Sequence, residues 1–331
     1  MESNNDIAVV GGGSWATAIV KMLTENNTKV GWYMRNTYAL EFIKVNYNNP
    51  NYLSSVLFDT NKLDLSHDLK YIVENYKYIV FAVPSAFLKA ELDKFELDLS
   101  NKVVFSAIKG IVPETGNIVG EFFHEEYNVS YDSIGVLTGP CHAEEVALER
   151  LSYLTLACQD EEKAEYMSQN ISCDYIKTKT SDDIYGTEYS SVLKNIFAIA
   201  AGVVHGLGYG DNFQAVLMSN SIREIGKFLK EVYPIKRDIN NLAYLGDLLV
   251  TGYSVFSRNR MFGNMIGKGY TVKSAQMEMN MVAEGYYATK TIRKLIEKHN
   301  LDMPITEAMY KILYKNHDPK KVIKNLTDKL N

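Results

Sequence analysis

Three small residues near the start of the chain have the spacing of a phosphate-binding turn. Gly11, Gly13 and Ala16 form the pattern G-x-G-x-x-[G/A] between a short β-branched run and a series of helix-forming residues. The first glycine permits a sharp turn, the second lets the backbone approach a pyrophosphate, and the alanine lets the helix lie against the strand. The helix directs its N–H groups and the positive end of its dipole at the phosphate. The turn favours a dinucleotide, although similar turns also occur with flavin, with S-adenosylmethionine or with no ligand.

A cation follows the second predicted strand, residues 29–34. In dinucleotide-binding folds the end of this strand meets the adenosine ribose. An acidic residue there accepts from the 2′-hydroxyl of NAD, whereas an arginine suits the 2′-phosphate of NADP. Arg35 stands at this place and favours NADP(H), with NAD(H) as the alternative cofactor. The other interpretation is an ordinary solvated arginine at a strand end.

Lys194 and Asp247 are charged residues within apolar segments. Lys194 and Asn195 lie in the first turns of a predicted helix, residues 189–204, that is apolar nearly all round and should be buried. Burial lowers the pKa of a lysine, which can then act as a base. The alternative is a lysine whose stem is covered and whose ammonium reaches water. A buried Asp247 would need a cationic or hydrogen-bonding partner.

Further polar residues could hold an anionic substrate. Ser257, Arg258 and Asn259 combine a hydroxyl, a planar guanidinium and an amide, the groups that suit a phosphate dianion. Lys109 follows a predicted strand and would lie at the carboxyl edge of the sheet, where open α/β sheets bind ligands. The alternative for each is a solvated surface position.

The elements that must position these residues change in type along the chain. Strands and helices alternate over about the first 180 residues, which predicts a doubly wound parallel sheet. From about residue 181 the pattern is helical almost throughout. We therefore predict an α/β fold: a Rossmann-like domain at residues 1–183, followed by an all-α C-terminal domain at residues 184–331. Strands are predicted at residues 7–10, 29–34, 78–83, 103–106, 134–137 and 153–157.

Length and composition restrict the class of protein. A chain of 331 residues suits two domains better than one. The formal net charge of −5 gives no general attraction to nucleic acid or to an anionic membrane, so a bound anion must be held by a local site. The histidines show no metal spacing, and we expect no metal.

Several features indicate a cytoplasmic protein without stable membrane insertion. The three cysteines form neither a zinc pattern nor a disulfide framework, which suits a reducing compartment. The longest apolar run, residues 196–204, is far shorter than the ~20 residues that span a bilayer. The glycine turn begins so close to Met1 that no room is left for a signal peptide.

Taken together and in order, the motifs resemble those of the NAD(P)-dependent glycerol-3-phosphate dehydrogenases, most closely the bacterial biosynthetic type. The resemblance runs from residue 7 to about residue 314. It is carried by Gly-Gly-Gly-Ser-Trp-Ala (11–16), Ile-Lys-Gly (108–110), Gly-Pro-Cys-His-Ala-Glu-Glu-Val (139–146), Leu-Lys-Asn-Ile-Phe-Ala-Ile-Ala (193–200), Gly-Leu-Gly-Tyr-Gly-Asp-Asn (206–212), Leu-Gly-Asp-Leu (245–248), Ser-Arg-Asn-Arg (257–260), Val-Ala-Glu-Gly-Tyr (282–286) and Met-Pro-Ile-Thr (303–306).

The resemblance implies reversible reduction of dihydroxyacetone phosphate by NAD(P)H to sn-glycerol 3-phosphate for glycerophospholipid synthesis. It implies an active site in the cleft between the domains, and a homodimer. Lys194 matches the general acid/base, and Thr251 matches a nearby hydroxyl. The positions that match substrate contacts are Lys109, Gly139, Cys141, Lys194, Asn195, Asp247, Ser257, Arg258 and Asn259. Those that match cofactor contacts are Gly11, Gly13, Ser14, Trp15, Arg35, Lys109, Ala143, Arg258, Val282 and Glu284.

The chain departs from the family pattern at four positions. Ala16 replaces a usual Gly, Tyr244 replaces a Gly, and Phe256 stands where His is frequent. Cys141 stands where Ser or Thr is more usual, and a thiol is a poorer hydrogen-bond donor. Two other functions remain: a hydroxyacid or opine dehydrogenase of the same architecture, and an NADP(H)-binding sensor without turnover.

Overall fold

The computed structural model describes residues 6–26, 29–279 and 283–330, and these residues form two units. The first unit contains the residues up to Ile108 together with Asn117–Ile184. The second contains Lys109–Gly116 and the residues from Tyr185 onward. Lys109 therefore belongs to the second unit, although it follows a strand of the first. No helix in the described part of the chain is long and apolar enough to cross a membrane.

The first unit is built on an eight-stranded sheet with the order β3-β2-β1-β4-β5-β6-β7-β8. Strands β1, β2, β4, β5 and β6 are buried along their whole length, as expected of strands covered on both faces. The chain order reverses beside β1, which is the switch point where such sheets bind ligands. The strands are β1 (Ile7–Val10), β2 (Val30–Tyr33), β3 (Leu63–Ser66), β4 (Tyr78–Phe81), β5 (Val103–Ser106), β6 (Ile134–Thr138), β7 (Ser152–Cys158) and β8 (Ile176–Ser181).

The predicted doubly wound sheet is confirmed, with one difference in strand direction. Neighbouring strands from β3 to β6 are parallel, but β7 pairs antiparallel with β6, and β8 is parallel to β7. The helix between β6 and β7 has five residues and rises only about 7.5 Å. It is too short to carry the chain back along a neighbour of this length, so β7 returns in the opposite direction.

Two edge strands, β3 and β8, are absent from the strands predicted above. Each pairs with one neighbour only, and each carries exposed or half-buried polar residues. They therefore lack the continuous apolar run that identifies the central strands. The helices of this unit are α1 (Ser14–Glu25), α2 (Thr37–Asn46), α3 (Leu69–Asn75), α4 (Ser85–Leu92), α5 (Val119–Tyr127), α6 (Ala143–Ala147) and α7 (Glu161–Ile171).

The described part of the second unit is helical, as predicted. Its helices are α8 (Ile184–Gly206, with Ile184 in the first unit), α9 (Asp211–Val232), α10 (Asp247–Tyr253), α11 (Arg258–Gly267), α12 (Val272–Glu278), α13 (Glu284–Lys298), α14 (Pro304–Lys315) and α15 (Pro319–Thr327). A short π-helical turn, Leu242–Gly246, precedes α10. Residues 186–204 of α8 are all buried, which confirms the prediction of a central apolar helix.

Helices α8 and α11 approach each other through glycines. A Cβ added at Gly202 would lie 2.0 Å from the carbonyl oxygen of Arg260, and one at Gly263 would lie 2.0 Å from that of Ile199. Larger residues would force the two backbones apart. This contact fixes α11, which begins with Arg258 and Asn259, relative to α8, which carries Lys194 and Asn195.

Candidate active site

The glycine turn of the first unit has the geometry of a phosphate site. Gly11 has a φ of +138°, and a Cβ there would lie 2.5 Å from the carbonyl oxygen of Ala82, so only glycine fits. Gly13 is the N-cap of α1, and a Cβ there would meet no described atom within 4 Å. The first turn of α1 carries no acidic residue. The N-terminus of this helix therefore opens into space that suits a pyrophosphate.

Two side chains not singled out from the sequence hold this turn in place. Trp32 donates from Nε1 to the carbonyl oxygen of Gly11 at 2.8 Å. Asn49 donates from Nδ2 to the carbonyl oxygen of Gly12 at 3.1 Å and to Oγ1 of Thr17 at 2.9 Å. Asn49 lies in an Asn-rich loop, and no local pattern distinguishes it from its neighbours. The conformation of the glycine turn is thus fixed by these hydrogen bonds as well as by its glycines.

The other residues of the first unit that are predicted to contact the cofactor lie near the same edge of the sheet. Ser14 is buried and Trp15 is half-buried in the first turn of α1. Arg35 follows β2 with its side chain 74% exposed, and its NH1 atom lies 3.7 Å from a carboxylate oxygen of Glu91. Because β1, β2 and β6 are parallel, residues that follow β6 share this edge.

Gly139, Cys141 and Ala143 follow β6. Gly139 has a φ of +124°, and a Cβ there would lie 2.8 Å from the carbonyl oxygen of Tyr153. Cys141 is buried with 6% exposure, and Ala143 begins α6. The structure thus brings the turn after β6 to the same edge as Gly11 and Arg35.

The second unit contains a buried cluster of two lysines and one aspartate. The Lys194 side chain is 4% exposed and the Asp247 side chain 1% exposed, and Nζ of Lys194 forms a short ion pair with Oδ1 of Asp247. Lys109 lies 3.7 Å from the other carboxylate oxygen, with 19% of its side chain exposed. The interpretation of Lys194 as a lysine whose ammonium reaches water is therefore wrong. Asp247 has the cationic partners that a buried carboxylate requires.

Burial sets the proton affinity of this cluster. Desolvation is the largest cause and lowers the pKa of Lys194 well below its ordinary value, since the charged form loses its hydration. Asp247 opposes the change by stabilising the ammonium, whereas the positive charge of Lys109 lowers the pKa further. Lys194 therefore loses its proton more readily than an exposed lysine does, a property that suits an acid/base group.

Neighbouring groups hold the members of the cluster. Asn195 donates from Nδ2 to the carbonyl oxygen of Lys109 at 2.7 Å, which ties residue 109 to α8. Thr251 donates to the carbonyl oxygen of Asp247 at 2.7 Å, one turn earlier in α10. The Thr251 hydroxyl is thus engaged with its own helix.

The predicted phosphate-binding residues lie at the N-terminus of α11. Ser257 is its N-cap and accepts from the N–H of Arg260 at 3.3 Å. Arg258 is half-buried at the first helical position, and Asn259 is buried with 8% exposure. Three groups suited to a phosphate therefore sit at the positive end of one helix.

Gly285 was not among the predicted site residues, yet it joins two of them. Its N–H donates to Oδ1 of Asn259 at 2.9 Å, and a Cβ there would lie 2.5 Å from the carbonyl oxygen of Asn195. Gly285 stands in the Val-Ala-Glu-Gly-Tyr motif, but its role depends on residues far away in the sequence. Glu284 begins α13, and Val282 lies outside the described residues. The described residues contain no group of three or more His, Cys, Asp or Glu side chains arranged to hold a metal.

Comparisons with known proteins place these two units in context. A family model described as NAD-dependent glycerol-3-phosphate dehydrogenase N-terminus matches residues 6–164, and the corresponding C-terminus model matches residues 183–324. A glycerol-3-phosphate dehydrogenase [NAD(P)+] of Oceanobacillus iheyensis is 36% identical over 327 residues, which cover 98% of this chain and 94% of that protein. One from Limosilactobacillus reuteri is 34% identical over 328 residues, covering 98% and 97%.

Solved structures of known dehydrogenases are similar to this chain. The crystal structure of a glycerol-3-phosphate dehydrogenase from Coxiella burnetii matches with a TM-score of 0.89 and 27% identity, and 98% of each chain is covered. A D-mandelate dehydrogenase matches with a TM-score of 0.62 and 16% identity. That second match shows a shared fold alone.

Proposed function

Because the chain belongs to the NAD-dependent glycerol-3-phosphate dehydrogenase family, we propose that it catalyses the reversible reduction of dihydroxyacetone phosphate by NAD(P)H. The product is sn-glycerol 3-phosphate, which supplies glycerophospholipid synthesis. The observation that carries this proposal is the buried Lys194–Asp247–Lys109 cluster, in the same unit as the phosphate-binding residues at the start of α11. The proposed reaction needs an acid/base group and a site that binds the phosphate of a three-carbon substrate, and these two sets of residues are suited to those roles.

Lys194 carries the proton at the C2 oxygen of the substrate. During reduction, C2 gains a hydride and its oxygen gains a proton from the Lys194 ammonium. During oxidation, the neutral amine removes the proton from the C2 hydroxyl as the hydride leaves C2. Both forms must be accessible, and the lowered pKa of Lys194 supplies the neutral amine without strongly alkaline conditions.

Asp247, Lys109 and Asn195 position the acid/base group. Asp247 holds the Lys194 ammonium and balances one of the two positive charges. Lys109 shares the same carboxylate, and its partly exposed side chain is assigned to contacts with substrate and cofactor. Asn195 fixes the backbone at Lys109. The three residues together keep Lys194 in one orientation.

The substrate phosphate binds at the N-terminus of α11. Arg258 supplies a guanidinium, and Ser257 adjoins it as the helix N-cap. Oδ1 of Asn259 is occupied by the Gly285 N–H, so its Nδ2 hydrogens are directed away from Gly285 and serve the phosphate. Holding one end of a three-carbon substrate fixes C2 relative to Lys194, which is a proximity effect.

The cofactor is assigned to the residue 1–183 domain, and the substrate and catalytic groups to the residue 184–331 domain together with Lys109. When bound, the nicotinamide supplies or accepts the hydride. Gly11, Gly13, Ser14 and Trp15 would hold the pyrophosphate, and Arg35 favours NADP(H) over NAD(H). The other residues assigned to substrate or cofactor contacts are Gly139, Cys141, Ala143, Val282 and Glu284.

The oligomeric state and the compartment are also part of this proposal. We infer a homodimer in the cytoplasm without stable membrane insertion and without a nucleic acid partner. Cys141, Cys158 and Cys173 form no disulfide, which suits a reducing compartment, and the net charge of −5 does not favour nucleic acid. Light scattering on the purified protein measures the mass, and a monomer would contradict the dimer.

Steady-state oxidation of NADPH and of NADH, each with dihydroxyacetone phosphate, tests reaction and cofactor together. We expect oxidation to require the substrate, with the lower KM for NADPH. NADPH that binds tightly but is not oxidised on addition of the substrate would favour the sensor instead. Oxidation of NADPH or NADH with an oxo acid, the precursor of a hydroxyacid, but not with dihydroxyacetone phosphate would favour a hydroxyacid or opine dehydrogenase.

A further inference from the structure

A buried carboxylate lies close to Arg35 at the end of β2. Glu91, near the end of α4, has only 9% of its side chain exposed. Its Oε1 accepts from the hydroxyl of Tyr33, the last residue of β2, at 2.5 Å. Its Oε2 accepts from Nζ of Lys94 at 2.5 Å, and NH1 of Arg35 lies 3.7 Å from that same oxygen. The side chains of Tyr33 and Glu91, and those of Arg35 and Lys94 just after these two elements, thus meet where the adenosine ribose of a dinucleotide is expected.

The hydrogen-bond partners of the Glu91 carboxylate indicate which nucleotide this group of side chains suits. An acidic residue at the end of β2 usually signals NAD because its carboxylate accepts from the ribose 2′-hydroxyl. Here Tyr33 engages one carboxylate oxygen, and Lys94 engages the other. The carboxylate instead holds two cations beside each other, with Lys94 48% exposed and Arg35 74% exposed. Two exposed cations that are held side by side by a buried carboxylate are suited to bind a phosphate dianion.

We propose that Lys94, held by Glu91, is a second cation of the site for the adenosine 2′-phosphate, and that Glu91 positions Lys94 and Arg35 rather than binding the ribose. The inference deepens the proposed function, on which it rests, by naming the residues that set the preference for NADP(H). Lys94 contacts the phosphate, whereas Glu91 acts through the two cations.

The charges around Glu91 support this assignment. Burial raises the pKa of Glu91, but hydrogen bonds from Lys94 and Tyr33 outweigh it, so the pKa lies below its ordinary value and the group is a carboxylate at neutral pH. Burial and the neighbouring Glu91 raise the pKa of Tyr33, which stays neutral. Asp68 lies close enough to contribute to the Tyr33 shift, but its carboxylate caps α3. Glu91, Arg35 and Lys94 together leave one net positive charge.

Binding of two nucleotides that differ only in the 2′-phosphate tests the proposal without turnover. Adenosine 2′,5′-bisphosphate and adenosine 5′-monophosphate are titrated calorimetrically into the full-length wild type, Lys94→Gln and Lys89→Gln. Lys89 is the matched control because it is a lysine of α4, close to Glu91 in the sequence, that pairs instead with Asp93 at 3.3 Å and Glu126 at 3.1 Å. Lys94→Gln should weaken the bisphosphate about five- to tenfold and leave the monophosphate unchanged. Lys89→Gln should change neither Kd.

Glu91→Gln separates positioning from simple charge repulsion. If Glu91 holds the two cations, its neutralisation releases them and weakens the bisphosphate. Tighter binding of the bisphosphate by Glu91→Gln would overturn the positioning role, and a wild-type ratio of the two Kd values in Lys94→Gln would overturn the role of Lys94. If the protein did not reduce dihydroxyacetone phosphate, the proposed function would fail, but this experiment would still test the 2′-phosphate site because it measures nucleotide binding alone. Absence of binding of both nucleotides to the wild type would overturn the cofactor assignment and this inference with it.

Discussion

The backbone N–H of Gly285 donates to Oδ1 of Asn259 over 2.9 Å, across a gap of 26 residues in the sequence. This hydrogen bond fixes the orientation of the Asn259 amide. Its Oδ1 atom faces Gly285, so its Nδ2 hydrogens point elsewhere. Gly285 also lies against the carbonyl of Asn195, the residue after Lys194. One glycine thus contacts both Asn259, which we propose binds the substrate phosphate, and the helix that carries the proposed acid/base group Lys194.

Gly285→Ala should damage substrate binding because its Cβ would lie 2.5 Å from the Asn195 carbonyl oxygen. Either α13 or α8 must shift, and we expect kcat/KM for dihydroxyacetone phosphate to fall about 10- to 100-fold. Gly210→Ala is the matched control, since a Cβ at that helix N-cap meets no described atom within 4 Å. Equal kinetics for the two variants would show that Gly285 has no role in aligning the site.

Asn259→Asp tests the orientation of the amide itself. The aspartate still accepts from the Gly285 N–H, but it loses the Nδ2 donors and places a negative charge near the substrate phosphate. We expect the KM for dihydroxyacetone phosphate to rise about 10- to 100-fold or more, with a smaller change in kcat. The KM for NADPH serves as the internal reference. An unaltered substrate KM would remove Asn259 from the phosphate site.

Asp247→Asn should move the pH dependence of both reaction directions. Burial and Lys109 lower the pKa of Lys194 and Asp247 raises it, so removal of Asp247 lowers that pKa further. Oxidation of glycerol 3-phosphate requires the neutral amine, and its acidic limb should move to lower pH. Reduction requires the ammonium, so its basic limb should also move to lower pH.

The control for this pH profile is Asp302→Asn, since Asp302 is 89% exposed and pairs with the exposed Lys227 at 3.8 Å. Its profile should match the wild type in both directions. Profiles of Asp247→Asn that move to higher pH, or do not move, would contradict the placement of Asp247 beside the acid/base group.

Glu224→Ala should lower stability without touching the chemistry. Glu224 lies on α9 and is buried with 3% exposure, and it accepts from the N–H groups of Ile305 and Thr306 at 2.6 and 3.2 Å. Its loss leaves the N-terminus of α14 without these acceptors and creates a cavity, which should lower the free energy of unfolding by about 3 kcal/mol. Denaturant unfolding measures the loss. The exposed Glu231 of the same helix should change by less than about 0.5 kcal/mol when replaced by alanine.

The sequence and the structure agree wherever a local pattern determines the outcome. The strand, glycine turn and helix at residues 7–25 follow from apolar runs and from residue size. The apolar residues around the helix of Lys194 predict a buried helix, although the sequence alone left open whether the Lys194 ammonium reaches water; the structure shows that it does not. The same reasoning identifies Asp247, because a single carboxylate in an apolar segment needs a cation, and the structure supplies Lys194.

Features that depend on contacts between residues far apart in the sequence cannot be predicted from local patterns. Glu91 meets Tyr33 across 58 positions in the sequence, and neither residue stands out in its own segment. Gly285 is an ordinary glycine until Asn195 and Asn259 are placed against it. The edge strand β8 carries lysines and threonines, and its pairing with β7 supplies the order that its own sequence does not signal.

The central claim is that Lys194 carries the proton in the reduction of dihydroxyacetone phosphate. The most direct measurement is single-turnover oxidation of bound NADPH by this substrate in Lys194→Met, with NADPH affinity determined in parallel. Lys227→Met, at an exposed site, is the control. We predict that Lys194→Met binds NADPH as the wild type does and turns over about 10²- to 10⁴-fold more slowly. A Lys194→Met enzyme with the wild-type rate and pH dependence would contradict the claim.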